Sequence, residues 1–272
     1  MLPLKVLLFA AAGLASGVAS GLFGIGGGTL RIPIFFYLLP WLGVEHAVLM
    51  HVSLGTSMAL VIPSAIGATL KQRAAGNLDV SYYRSWAVAI FVGVLLGIFI
   101  LPHASTEVLT AIFACFLLVV TLYMSFVPET WTIGHGPPRG ALEAVIAAAI
   151  GCLAFLTGTA GGTLTTPTLR AFGMPLRHAI AIASATGLVT GIVGGAGAVV
   201  QGWGVPGRPV YSLGYVDVVI FCAMMPTILI GAPLGVRLSQ RLSKVWLRRA
   251  YIALLVVIAV DMFRRLLAVV SW

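Results

Sequence analysis

The sequence predicts an all-α integral membrane protein built from two related halves. Of its 272 residues, 60% are apolar and only 8% are charged, whereas soluble domains carry about 25% charged residues. Long apolar runs recur along the chain, and one glycine-rich motif occurs twice, at 24–33 and at 158–167. Together these observations predict membrane-spanning helices arranged as two repeats.

The charge and the chemistry-bearing residues exclude several classes of protein. The basic residues behind the net charge of +9 collect in short segments between apolar runs. That placement is typical of membrane topology and lipid head groups, so we expect a lipid bilayer and no nucleic acid as partner. The three cysteines lie inside apolar runs without metal-ligand spacing. No catalytic triad, carboxylate pair or nucleotide-binding loop is visible, so we predict no enzyme, no metal and no cofactor.

The repeated motif has the pattern G-x-x-G-G-T-L-x-x-P. Its two copies agree at six of ten positions. Each lies inside an apolar run, where a glycine cluster followed by proline disfavours a continuous helix. A helix break at membrane depth leaves backbone N–H and C=O groups that cost several kcal/mol each unless they face a cavity, a ligand or other protein. The two copies are therefore predicted to form the two halves of a binding site.

The repeat extends beyond the motif and divides the chain. We predict a first membrane repeat at 1–128, an inter-repeat cytoplasmic loop at 129–140 and a second membrane repeat at 141–272. The further matches, in chain order, are His46-Ala47-Val48 with His178-Ala179-Ile180, Gly55 with Gly187, Leu78-Asp79-Val80 with Val216-Asp217-Val218, and Gly93-x-x-x-Gly97 with Gly231-x-x-x-Gly235.

Each half is predicted to hold a glycine-broken helix pair followed by three transmembrane helices. The broken pieces are too long for one span and have arms that are short for two. They are therefore expected to form re-entrant or steeply bent hairpins, although full crossing stays open. The predicted apolar segments are 4–42, 46–70, 81–101 and 105–127 in the first half and 141–173, 178–201, 215–239 and 245–268 in the second.

The basic residues favour inverted repeats. If each broken piece returns to its own face, the topology places eleven Lys and Arg residues on one face and four on the other, with Arg31 near a hairpin tip. This asymmetry agrees with the positive-inside rule, whereas parallel repeats would split the basic clusters. We therefore expect two inverted-topology repeats in a bacterial inner membrane, with both termini in the periplasm.

The two motifs predict a site for a compact anion. Consecutive glycines before a helix N-terminus offer backbone N–H donors and a partial positive charge. Arg31, two residues after Thr29, adds a full charge that either binds the substrate or extends toward the membrane interface. The predicted substrate-binding residues are Gly26, Gly27, Gly28, Thr29, Arg31, Ser53, Thr56, Ser57, Gly161, Gly162, Thr163, Thr165, Thr166, Ser184 and Thr186.

Structural alternatives stand beside several of these predictions. Ser and Thr hydroxyls in helices also bond to their own i−4 carbonyls, so the hydroxyl set has a structural alternative. His51 is a candidate proton relay or a structural histidine. Asp79 and Asp217 are interpreted as helix caps. The Gly93/Gly97 and Gly231/Gly235 pairs are interpreted as close helix crossings.

The paired motifs, each followed by a His-Ala-Val/Ile helix start and a hydroxyl cluster, resemble the sulfite exporter TauE/SafE family across essentially the whole chain. This resemblance implies a bacterial inner-membrane permease that moves small sulfur-containing anions such as sulfite or sulfonates, usually outward. The copies differ within the motif, because Ala160 replaces Gly26 and Thr165 replaces Arg31. An asymmetric site follows from these differences.

The sequence therefore predicts a secondary transporter, with export as the expected direction, that works by alternating access around two broken hairpins. The alternatives are a channel-like anion conduit without coupling and a permease for another small oxyanion. The Gly-x-x-x-Gly pairs are also compatible with a homodimer, because small residues allow helices to approach within or between subunits.

Overall fold

The computed structural model describes residues 2–23, 27–128, 131–134 and 136–270, and helices dominate these residues. The same succession of a helix, a short helix, a long helix and two further helices occurs twice. The first succession is α1 (Leu2–Phe23), α2 (Gly28–Leu38), α3 (Leu49–Ala74), α4 (Val80–Ile100) and α5 (Thr106–Phe126). The second is α6 (Ala141–Leu156), α7 (Gly162–Ala171), α8 (Leu176–Gln201), α9 (Val218–Ser239) and α10 (Lys244–Val270).

These helices confirm the prediction of an all-α membrane protein. In the described part of the chain, six helical segments are long and apolar enough to cross a membrane. Both broken pieces divide into two helices at the glycine motif, as predicted. One feature was not predicted: a short antiparallel hairpin, β1 (Ser212–Leu213) and β2 (Val216–Asp217), precedes α9.

Two aspartates begin equivalent helices, which confirms their interpretation as caps. The Asp79 carboxylate accepts hydrogen bonds from the backbone N–H groups of Ser81 and Tyr82 at the start of α4. The Asp217 carboxylate accepts one from Ile220 at the start of α9. Asp217 is buried, and this burial raises the pKa of its carboxyl group although the Ile220 amide opposes the shift. Each cap satisfies backbone donors that the first helical turn leaves without an intrahelical partner.

The two long helices, α3 and α8, pack against each other at the centre of the bundle. Their contacts run in opposite order along the chain. Close approaches pair Gly55 with Ala198, Gly194 with Met58, Gly191 with Ile62 and Gly187 with Ala65. The long helix of one half is therefore antiparallel to the long helix of the other.

The first helix of each half packs on the fourth helix of the other half. Gly13, Gly17 and Gly21 of α1 approach the backbone of Met224, Ile228 and Ala232 in α9, in the same order. In the equivalent pair of helices, Gly93 of α4 approaches the backbone of Ala148 in α6, and Gly97 approaches Cys152 and Phe155. Both pairs are parallel and close because glycine leaves no side chain between the helices.

The Gly-x-x-x-Gly pairs therefore form helix crossings within the chain. Gly231 and Gly235 of α9 meet the backbone of α1 near Leu14 and Val18, and Gly93 and Gly97 meet α6. A Cβ at Gly231 would lie 2.6 Å from the Leu14 carbonyl oxygen. This close approach confirms the predicted packing role of these glycines.

Candidate functional site

The two glycine breaks begin α2 and α7 with the same backbone geometry. Gly27 precedes α2 with φ = 62°, and Gly161 precedes α7 with φ = 71°. Glycine adopts this left-handed conformation without the cost that a Cβ imposes. No side chain caps either helix. The polar groups at the N-terminal ends of α2 and α7 are therefore backbone amides, as the sequence predicted. Gly26 lies outside the described residues.

The two breaks touch each other inside the bundle. A Cβ on Gly28 would lie 2.6 Å from the Gly158 carbonyl oxygen and 2.8 Å from the Thr159 Cα. The structure therefore brings the first turn of α2 against the turn that precedes α7. The two motifs therefore meet, as the binding-site prediction requires. At this point they meet by direct backbone contact, which leaves no open space between them.

Arg31 and Ser57 connect the two breaks through α3. The Arg31 guanidinium donates from Nη1 to the Ser57 carbonyl oxygen at 3.1 Å, and the Ser57 hydroxyl donates to the Gly158 carbonyl oxygen at 2.6 Å. Only 1% of Arg31 is exposed, so its charge lies within the bundle. A buried guanidinium needs several acceptors, and one of them is the backbone of α3.

The other predicted hydroxyls are mostly engaged in bonds within the protein. Ser53 donates to the Leu49 carbonyl oxygen and Ser184 to the Ile180 carbonyl oxygen, both i−4 bonds. Thr56 accepts the N–H of Asp217, which connects α3 to the β-hairpin. The Ser53 and Ser184 bonds match the structural alternative of donation to an i−4 carbonyl, and Thr56 makes a different bond, across to the hairpin. Their predicted role in substrate binding stays a prediction.

The threonines of the second repeat differ in their surroundings. Thr186 donates to the Ile182 carbonyl oxygen and accepts the indole N–H of Trp86 at 3.1 Å. Thr165, which stands where the first repeat has Arg31, is fully buried, and its hydroxyl has no hydrogen-bond partner among the described residues. Thr163 and Thr29 are also buried, each in the first turn of its helix.

His51 lies in the first turn of α3, where its side chain contacts the end of α4. Its Nε2 atom is 3.1 Å from the Leu101 carbonyl oxygen, and its ring packs against Tyr215 with centroids 5.1 Å apart. A hydrogen bond to the last carbonyls of a helix is a structural role. The proton-relay role of His51 remains a hypothesis.

A cavity of about 600 Å³ lies beside the second break. It is bounded by α7, the ends of α1 and α5, the start of α10 and the segment after α5. Gly162 and Thr163 form part of its wall, and the exposed Trp131 and Ile133 lie at its rim. The Ile133 N–H donates to the Ala171 carbonyl oxygen at 2.7 Å, which joins this rim to the end of α7.

Two arginines of this cavity were not among the predicted site residues. Arg170 lies on α7 and Arg248 on α10, and both line the cavity and are half-buried. A spacing signal could have identified Arg170, because Thr163, Thr166 and Arg170 follow an i, i+3, i+7 pattern that places them on one helix face. All three line the cavity. Arg248 carried no such signal, because α10 is distant in sequence.

On the opposite side of the bundle, a polar cluster joins α2 to α10. The Tyr37 hydroxyl donates to Asp261 at 2.6 Å, and Arg265 lies 3.3 Å from the same carboxylate. The Arg265 guanidinium also stacks over the Tyr37 ring, 3.9 Å from its centroid. Tyr37 occupies the end of α2, as Ala171 occupies the end of α7 beside the cavity. The two repeats therefore differ in packing at equivalent ends.

The described residues define a multi-pass, all-α membrane protein with two broken helices that meet in its interior. Among these residues, no group of three or more His, Cys, Asp or Glu side chains is placed to hold a metal ion. A model of the sulfite exporter TauE/SafE family matches residues 9–262. The chain is 31% identical over 261 residues to a probable membrane transporter protein of Haemophilus influenzae, covering 95% of this chain and 98% of that one.

A second relative is a probable membrane transporter protein of Methanocaldococcus jannaschii, 26% identical over 91% of this chain and 90% of its own length. No solved structure matches the chain. The chain belongs to the sulfite exporter TauE/SafE family. It is thus a membrane protein of the transporter class.

Proposed function

We propose that this protein is a secondary transporter that exports small sulfur-containing anions, such as sulfite or organosulfonates, across the bacterial inner membrane. The observation that carries this proposal is the asymmetry of access to the two touching breaks. A cavity reaches Gly162 and Thr163 from the side where α5 ends and α10 begins. At the end of α2, in contrast, the Tyr37 hydroxyl donates to Asp261 of α10.

The proposed mechanism is alternating access between two inverted repeats. Equivalent long helices are antiparallel, and each first helix runs parallel to the fourth helix of the other half; this pattern supports a pseudo-two-fold axis in the membrane plane. In this arrangement the described conformation is open toward the cytoplasm. Opening of the Tyr37–Asp261 contact and closure of the cavity around α7 would expose the breaks to the periplasm.

In this mechanism the anion is held by the first-turn amides of α2 and α7, with Arg31 and the threonines Thr29 and Thr163 beside them. A helix N-terminus stabilises an anion through its free N–H groups and its dipole. The fully buried guanidinium of Arg31 supplies the compensating charge. Thr165 offers a further buried hydroxyl from the second repeat.

The first experiment measures transport in proteoliposomes with sulfite, sulfoacetate, taurine, sulfate and chloride. Saturable uptake and counterflow of a sulfur anion are the expected results. Arg31→Gln should abolish this transport, whereas Arg249→Gln, which changes an exposed arginine outside the cavity, should leave it unchanged. Normal transport by a folded Arg31→Gln variant would remove Arg31 from the site. Large single-channel currents without counterflow would identify a conduit instead.

The membrane orientation has its own test. Both termini are proposed to lie in the periplasm, so an alkaline phosphatase fused to the C-terminus should be active and a green fluorescent protein fused there should be dark. A bright C-terminal fluorescent fusion would reverse the orientation, and with it the face to which the cavity opens.

A further inference from the structure

A buried carboxyl group lies between α6 and α4, where the two helices pack together. Glu143 belongs to the first turn of α6 and is only 5% exposed. Its Oε1 atom is 2.6 Å from the Ser85 hydroxyl oxygen of α4. Buried carboxyl groups are rare, because an ion loses its hydration there unless a counter-ion or a proton neutralises it. The hydrogen bonds around Glu143 indicate which of its two protonation states the fold accommodates.

The Ser85 hydroxyl group has one hydrogen and two neighbouring acceptors. Its Oγ atom is also 3.0 Å from the Tyr82 carbonyl oxygen. If Glu143 is ionised, both neighbours can only accept, and one of the two contacts lacks a hydrogen. If Glu143 is protonated, its O–H group donates to Ser85 Oγ, and the Ser85 hydroxyl donates to the Tyr82 carbonyl oxygen. A proton on Glu143 thus satisfies both contacts at once.

A second hydroxyl group near Glu143 has no hydrogen-bond partner among the described residues. The Tyr82 side chain is buried, and its hydroxyl oxygen is enclosed by the protein. Glu143 and the exposed Arg139 both act on this hydroxyl electrostatically. Loss of the proton from Glu143 would leave a carboxylate that attracts this unpartnered donor, since hydrogen-bond donors stabilise a buried anion. The two side chains therefore prefer a different arrangement in each protonation state.

The other titratable or charged groups at this end of the helices packed on α6 are exposed or have partners of their own, as far as the structure describes the chain. Tyr83 and His178 bond to backbone carbonyl groups. Tyr123 of α5 and Arg170 of α7 interact with each other. The exposed groups are Lys71 and Arg73 of α3, Asp79 and Arg84 of α4, and Arg177 of α8.

Tyr82 connects the carboxyl group to the second break. The Tyr82 and Trp86 rings pack with centroids 6.0 Å apart, and the Trp86 indole N–H donates to the Thr186 hydroxyl at 3.1 Å. The Thr186 methyl carbon lies 3.0 Å from the position that a Cβ would take on Gly161, the residue that precedes α7. A movement of the Tyr82 ring would therefore act through close contacts on the N-terminal end of α7.

The equivalent crossing in the other repeat holds apolar residues at these positions. Gly151 of α6 approaches the Ile90 backbone of α4 as Gly17 of α1 approaches the Ile228 backbone of α9, which establishes the correspondence. The crossing of α1 and α9 is close without a carboxyl group, so helix packing does not require Glu143. The residues that correspond to Glu143, Tyr82, Ser85, Trp86 and Thr186 are Phe9, Ile220, Ala223, Met224 and Leu54.

We propose that Glu143 binds a proton and that its protonation couples transport to a proton gradient. This inference rests on the proposed transport function and adds the ion that drives it. In the protonated state Glu143 donates to Ser85. Loss of the proton at the exposed Ser85 leaves a carboxylate that accepts from Ser85 and attracts the Tyr82 hydroxyl. Tyr82, Trp86 and Thr186 are positioning residues that connect this change to the second break.

Proton binding is tested without substrate, by infrared difference spectroscopy of the full-length protein in lipid nanodiscs between acidic and alkaline buffer. The C=O stretching band of the protonated Glu143 carboxyl group should disappear in alkaline buffer. Glu143→Gln should lack this band and still fold, because its amide N–H donates to Ser85 as the protonated carboxyl group does. Asp217→Asn, which changes another buried carboxyl group, should keep the band. A band retained by Glu143→Gln and lost in Asp217→Asn would overturn the inference.

Coupling is tested in proteoliposomes with a pH difference across the membrane and with the membrane potential held at zero by potassium and valinomycin. The probes are sulfoacetate and sulfate, which are ionised at neutral pH and carry no proton of their own. Coupling to one proton should change the steady-state ratio of the probe about tenfold for a difference of one pH unit. Glu143→Gln should abolish this response. Tyr82→Phe should keep the infrared band and lose most of the response; a full response would overturn the proposed connection to the second break.

The outcomes separate this inference from the proposed transport function. Transport by the parent protein that does not respond to the pH difference would overturn the coupling and leave the transport function standing. Transport that depends on sodium and not on pH would overturn the assignment of the ion as a proton. Equal responses of the parent protein and Glu143→Gln would remove Glu143 from the coupling. An infrared band of Glu143 in a protein that transports no anion would leave proton binding standing and overturn both the coupling and the transport function.

Discussion

The contact between the two breaks predicts opposite effects of the same substitution at equivalent positions. Gly28 and Gly162 are each the first residue of their helix and occupy the same position in the repeated motif. Neither has a positive φ, so alanine fits the backbone conformation at both. A Cβ at Gly28 would meet the Gly158 carbonyl oxygen at 2.6 Å, whereas a Cβ at Gly162 would meet only Ala183 atoms, at 3.8 Å.

The magnitude follows from these distances. Ordinary contacts between non-bonded heavy atoms are about 3.5–4.0 Å, so Gly28→Ala requires the second break to move by about 1 Å. Overpacking of a rigid backbone costs about 1–3 kcal/mol. Gly162→Ala should instead gain about 0.4–1 kcal/mol, because alanine restricts the unfolded chain more than glycine does. The two variants should differ in stability by about 1–4 kcal/mol.

The assay is thermal unfolding of both purified variants and the parent protein in the same detergent. Gly28→Ala should unfold at a lower temperature than the parent, and Gly162→Ala at the same temperature or a higher one. Gly28→Ala should displace the Gly158 carbonyl, to which the Ser57 hydroxyl donates. Because Ser57 is a predicted substrate-binding residue, the variant should also bind substrate more weakly. Equal thermal stability of the two variants would refute the reasoning, because it would mean that the two breaks do not touch.

Three further predictions concern side chains that make hydrogen bonds within the protein. Ser57→Ala should lower the free energy of unfolding by about 1–3 kcal/mol, measured by thermal or chemical unfolding, because the buried Gly158 carbonyl loses its donor. Tyr37→Phe removes the hydrogen bond to Asp261. A cysteine introduced at Trp41 should then react faster with a membrane-impermeant reagent added outside. Unchanged labelling would show that this hydrogen bond does not close the transporter on that side. Asp79→Ala should destabilise the protein by about 1 kcal/mol, while Asp79→Ser should recover most of that loss.

The sequence contained most of the information on where helices begin and end. The repeated motif located both breaks because glycine and proline disfavour a continuous helix whatever surrounds them. Asp79 and Asp217 identified the starts of α4 and α9 because capping acts through bonds only a few residues apart. These signals are local, and so they could be interpreted without a structure.

The arrangement of the helices and the cavity could not be predicted in the same way. The pairing of α1 with α9 depends on contacts such as that of Gly17 with Ile228, which no local pattern specifies. Arg248 reaches the cavity wall because α10 packs on the end of α5, where the Met124 and Val127 carbonyls hold its guanidinium. Arg31 was singled out from the sequence, but its burial and its bond to the α3 backbone depend on how the helices pack.

Because the first helix of each half packs on the fourth helix of the other half, the packing has a consequence for the synthesis of the protein. Gly17 cannot meet Ile228 until nearly the whole chain has left the ribosome, which at about 5–20 residues per second takes roughly ten seconds or longer. During that interval the glycine face of α1 lacks the α9 backbone that covers it in the finished bundle. The apolar composition of α1 is thus a requirement of biogenesis as well as of the finished bundle. Separate expression of the two predicted halves should give fragments that become stable only when both are present in the same membrane.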